Sequence, residues 1–192
     1  MSTTPRRRSR GQTLAELGIV MPLLMMLLLV IFQVGFLIYQ QYEAINLARE
    51  AANLMFRDKN LDHAESAIKA AQLTRDFNTD VKLILSVVEF GPPGGPNTDV
   101  PIILKRHVAG TLSGQSLLGD PPTAAYKDPT PDDASYSAVR PSTDPRIQAR
   151  LPLPNDLDIK AGQSVNVAEI FLKRRDILPL SATNPIYAVA YF

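Results

Sequence analysis

The chain has 192 residues, no cysteine, and 20 Lys+Arg against 19 Asp+Glu, for a formal net charge of +1. The missing cysteine excludes disulfide staples, thioether lipid anchoring and thiolate metal sites. The balanced charge gives no electrostatic footprint for nucleic acid.

That balance conceals a division. Arg6, Arg7, Arg8 and Arg10 stand together at the start, and without them 16 basic residues face 19 acidic ones, a net charge near −3. Residues 1–11 read as a basic, unstructured leader. From Leu17 to Tyr42 there is no charged side chain, an apolar run of 26 residues. A helix crosses the hydrocarbon core of a bilayer in about 20 residues, so residues 12–42 are predicted to form a transmembrane helix. Basic flanks stay on the cytoplasmic side, which predicts a single-pass protein with its N-terminus inside and the remainder outside. An ordinary secretory signal has an apolar core of about 7–15 residues and a small-x-small cleavage site. This run is longer and has no such site after Tyr39. An uncleaved signal anchor carrying a ligand- or protein-binding head is the alternative reading.

Glu16 is the unusual residue of this stretch, because a carboxylate at the mouth of a span calls for a partner. The order is arginines, Gly11, four uncharged residues, Glu16, apolar run. It resembles the cleavage site of type IV prepilin-like precursors, and the segment Gln-Thr-Leu-Ala-Glu-Leu-Gly-Ile-Val-Met-Pro-Leu-Leu (12–24) most resembles the TadE-like pseudopilins of tight-adherence (Flp) pilus systems. The resemblance covers about residues 5–57. It implies cutting after Gly11 by a prepilin peptidase, with Gln12 as the first mature residue and Glu16 as the fifth. It also implies pairing of Glu16 with the new α-amino group of a neighbouring subunit. The implied partners are other pseudopilins, the major pilin, an inner-membrane assembly platform and membrane lipid. The implied location is the bacterial inner membrane, with the head periplasmic and the chain open to incorporation in the pilus. No cofactor and no nucleic acid are implied.

Pro22 interrupts the helix. It lacks an N–H and crowds the carbonyl of Gly18 four residues earlier, so a bend or loosened turn is expected between Gly18 and Pro22. Gln33 and Gly35 suggest a packing face. Stalk helices are predicted over 43–75. Ile45, Ala48, Ala52 and Met55 form one apolar stripe, with Glu43, Arg49, Glu50, Asn53 and Arg57 on the other sides. After a break at 58–62, Asp62 with Glu65 fits an N-cap and its reciprocal acid. A second short helix is expected to run to about Thr74, burying Ala64, Ala67, Ile68 and Ala71 against a flat surface.

From residue 76 the pattern becomes a β-rich head. Strands are predicted at 81–90, 101–108, 164–173 and 186–192, with turns at 91–96 and 160–163. Eight of the sixteen prolines fall between Asp120 and Pro154, so 110–155 is expected to be an irregular excursion. The fold class is therefore α+β: a long N-terminal transmembrane and stalk helix, a short second helix, and a small antiparallel sheet, as in pilins.

No catalytic set is legible. His63 and His107 lie on different predicted elements, and no carboxylate has helpful spacing for a zinc site. Ser113 and Ser116 lie in near-misses of the G-x-S-x-G pattern. Asp128, Asp132, Asp133, Asp156 and Asp158 lack EF-hand spacing and read as solvated turn acids. Lys173, Arg174 and Arg175 read as a charged strand end. An enzyme is not expected.

Overall fold

The computed structural model describes residues 10–57, 60–71, 75–129, 135–150, 163–176 and 184–192, with side chains from residue 15 onward. Most of the predicted leader, most of the turn at 160–163, and Asp132, Asp133, Asp156 and Asp158 lie outside the described residues. The chain divides into two units, one comprising residues 1–39 with 175–182, the other 40–174 with 183–192.

Helix α1 runs from Arg10 to Arg57, 48 residues with Pro22 inside it. In the first unit its surface is apolar and exposed, with Leu23 at 67% and Phe32 at 60%. Gln33 is the exception. It is buried, and its Nε2 donates to Asp176 Oδ1 at 2.8 Å.

The second unit is an α+β head. Helix α2 (Leu61–Ala71) and the single turn α3 (Phe77–Asp80) precede strand β1 (Val81–Phe90). Strand β2 (Pro101–Ala109), the short strands β3 (Tyr126–Lys127) and β4 (Tyr136–Ala138), then β5 (Ser164–Leu172) and β6 (Ile186–Tyr191) complete a six-stranded sheet in the order β3-β4-β2-β1-β5-β6. Every pairing is antiparallel. The four long strands are those the β-branched runs predict. A bulge between Val87 and Val88 leaves Leu104 without a partner on β1 and turns the far end of the β1–β2 ladder.

One face of the sheet is covered by the C-terminal part of α1 together with α2. Ala44, Ala48, Ala51 and Ala52 are fully buried, joined by Leu47 and Met55. They pack with Leu83, Leu85, Ala168 and Ile170 of the sheet. The buried stripe differs from the predicted one: Ile45 sits on its flank, while Ala44, Leu47 and Ala51 enter it. Alanine at these positions lets a helix backbone lie close to a sheet and maximises helix propensity at the same time. Two details of α2 are corrected. Its start is capped by Asn60, whose Oδ1 accepts from the N–H of Asp62 at 2.9 Å. Ala67 and Ala71 are exposed, and the buried face is Leu61, Ala64 and Ile68. Three buried positions suffice because the helix covers only the β2 side of the sheet.

Charge fixes α1 to the strand ends. Arg75, buried, donates from Nε and Nη2 to the two Glu43 oxygens at 3.2 and 2.9 Å, and from Nη1 to the Lys173 carbonyl at 2.8 Å. A paired guanidinium fork of this kind holds both orientation and distance.

The opposite face is covered by the proline-rich stretch. Expected to be irregular throughout, it nevertheless contributes Leu118, Ala125, Tyr126 and Ile147 to a second core with Val88, Ile102, Ile103 and Val167. A fully buried carboxylate anchors it. Glu169 accepts from the Ser116 hydroxyl, from the Leu117 N–H at 2.8 Å and from the Tyr187 hydroxyl at 2.9 Å. Burial, and then the Glu169 charge, push the Tyr187 phenol well above its ordinary range. Asp144 caps a 3-10 turn (Pro145–Ile147) and chelates Arg146. The Arg146 hydrogen bond draws the Asp144 carboxyl down to about 2.

Ala52→Leu should overpack the helix–sheet seam and lower stability by about 1–3 kcal/mol, read from the urea midpoint of detergent-solubilised protein. Ala67→Leu, on the exposed side of α2, should leave the midpoint unchanged. Asp144 has its folded pKa below the unfolded value, so its contribution is complete above about pH 4 and lost as pH falls towards 2. Asp144→Asn should therefore flatten the acid limb of the stability profile between those values.

Candidate functional site: the N-terminal helix

Gly11, Gln12, Glu16, Gly18 and Pro22 all fall on α1. Gly11 and Gln12 lie in its first turn, since the helix begins at Arg10. Glu16 follows Gln12 by four residues. That is one helical turn, about 6 Å along the axis, and on the same face. Glu16 is exposed, as are the apolar residues that follow it. At Gly18 an added Cβ would meet nothing within 4 Å. The helix runs on through Pro22, whose missing N–H leaves the Gly18 carbonyl without its usual intrahelical donor.

This surface can enter an apolar phase and present one carboxylate near the end of the apolar run. From Ala15 the helix is long and apolar enough to cross a membrane, and it fits a single-pass anchor. Gln33 adds one polar side chain to the apolar run, satisfied by Asp176. A buried amide with a partner costs far less than one without.

The histidines and serines considered in the sequence lie in the head. Ser116 directs its hydroxyl to Glu169, so the near-miss serine motif is a packing device. His63 is exposed. His107 lies within β2 rather than at its end, and it is buried. Its Nε2 is 2.5 Å from Glu65 Oε2, and its Nδ1 is 3.8 Å from Asp62 Oδ1. Lys69 pairs with the other Glu65 oxygen. Burial raises the Glu65 carboxyl, but the hydrogen bonds from Lys69 and His107 outweigh it and leave the net shift downward. Sequence spacing did not reveal this group, because its histidine and carboxylates come from a strand and a helix about forty residues apart. Arg75 was missed for the same reason, and only its position between two apolar elements hinted at a buried role.

Neither a curated protein nor a solved structure matches the chain. The family described as TadE-like protein matches residues 11–53. The match opens at Gly11, takes in Glu16, Gly18 and Pro22, and ends on the alanine-rich part of α1. Over that stretch the chain is similar to the TadE-like family, a structural family associated with tight-adherence pili.

Proposed function

We propose that this chain is a minor pilin or pseudopilin that takes part in assembling a tight-adherence (Flp-type) pilus. The observation that carries the reading is the family match beginning at Gly11. It coincides with a helix whose first exposed acid stands one turn beyond the new terminus that cutting after Gly11 would create.

In this reading a prepilin peptidase cuts on the cytoplasmic side after Gly11. Gln12 then carries a free ammonium, and Glu16 of a neighbouring subunit meets it. Each charge alone is disfavoured in an apolar phase, and pairing them removes the larger part of that cost. The pair sets subunit register, and the apolar face of α1 supplies the contact area. Gly18 and Pro22 give the helix a place to adjust when the subunit leaves lipid. The head faces the periplasm and meets other pseudopilins, the major pilin or the inner-membrane platform.

Intact mass of the protein extracted from its native membrane tests the reading. Loss of residues 1–11 is expected. A terminus at Met1 or Ser2 would instead leave a signal-anchored envelope protein. Gly11→Leu should abolish trimming while membrane insertion persists. Glu16→Gln should still be trimmed, yet reduce the subunit recovered with assembled pili at least tenfold. Wild-type recovery would exclude the charge pairing.

A further inference from the structure

We propose that Asp62, Glu65 and His107 form a binding site for a divalent transition cation of the zinc type, which ties α2 to β2. The inference rests on the head alone and does not depend on the pilus reading.

Asp62 and Glu65 stand three residues apart in the first turn and a half of α2, hence on one face. Asn60 fixes that turn by accepting from the N–H of Asp62. His107 comes from β2, paired with Leu85 on the helix-covered side of the sheet, and is only 8% exposed. One ligand atom from each of the three residues lies within 4.8 Å of the other two. Zinc binds imidazole nitrogen and carboxylate oxygen at about 2.0–2.2 Å with tetrahedral geometry, which places ligand atoms about 3.3 Å apart. With Nε2 as the ligand, Glu65 must retreat from its 2.5 Å contact by under about 1 Å, and Asp62, whose Oδ1 faces Nδ1 at 3.8 Å, must swing along the ring edge toward Nε2. Both movements are within reach of side-chain rotation, since the two carboxylates are partly exposed and the imidazole is held by the sheet.

The donor set selects the class of ion. An imidazole with two carboxylates suits zinc and its neighbours, whereas calcium and magnesium favour six or more oxygens. Two carboxylates and a neutral imidazole balance a dication, and water supplies the fourth position. An outer partner is also in place. Lys69 holds the Glu65 oxygen turned away from His107 and orients the carboxylate, as hydrogen bonds to ligating carboxylates do in metal sites. Lys69 itself lies over the Phe77 ring, 5.2 Å from its centroid.

The bound cation would cross-link the short helix to the sheet. In a domain without disulfides that is a substantial restraint.

The test uses the full-length, untagged protein in detergent, stripped with chelator and titrated with zinc chloride by calorimetry, with thermal melting in parallel. One zinc per chain is expected, with a raised melting temperature that EDTA reverses. His107→Gln should weaken zinc binding at least tenfold. Asp62→Asn should do the same while leaving the zinc-free melting temperature unchanged, which separates loss of a ligand from loss of the fold. His63→Gln, at the other histidine of the chain, should bind as wild type. Absence of saturable binding overturns the proposal. So does binding that survives both His107→Gln and Asp62→Asn, or that disappears with His63→Gln.

Discussion

The head depends on burying one face of a helix against a β-sheet. Ala44, Ala48, Ala51 and Ala52 make that approach possible, since side chains of any greater length would hold the helix away. The sheet answers with larger residues: Leu83, Leu85 and Ile170 fill the space the alanines leave. Small residues facing large ones reach native packing density with few voids. The same alanines favour the helix on their own account. The Glu43–Arg75 pair then fixes how far along the strands the helix sits, adding direction to a contact that apolar burial alone would leave free to slide.

A sheet covered on one face still needs a cover for the other. Here the cover is the proline-rich stretch between β2 and β5, which has almost no regular structure of its own. Such a segment cannot satisfy its backbone groups internally, so the sheet and a few buried polar side chains must do it. Glu169 is the chief of these. A carboxylate buried in a sheet would be very costly unpaired. With three donors converging on it, it becomes a fastening point for the segment Ser116–Leu117 and for β6. Gly110, at φ +82°, lets the chain leave β2 at a place where a Cβ would collide with the Val81 carbonyl.

The chain thus serves two solvents. Residues 15–39 carry apolar surface outward, as fits a single-pass membrane anchor. The head places most of its apolar residues inward and gives the charges it buries, Arg75 and Glu169 among them, hydrogen-bond partners. The family match over residues 11–53 spans both parts, taking in the outward-apolar helix and all four seam alanines, Ala44, Ala48, Ala51 and Ala52.

What could be read from the sequence follows from how local each signal is. The apolar run, the arginines before Gly11, Glu16 and Pro22 are all local, and so were legible at once. The four long strands were legible too, because strands buried on both faces read as continuous β-branched runs. Of the predicted stripe, Ala48, Ala52 and Met55 are buried, while Ile45 stands on the flank and Ala44, Leu47 and Ala51 complete the face. Asp62 has the chemistry of an α2 cap, but Asn60 stands where the chain turns. The short strands β3 and β4, the buried carboxylate Glu169, the Arg75 fork and the gathering around His107 were decided only by tertiary structure. Each joins residues far apart in sequence, and no local period records a distance that exists only after the chain has closed on itself.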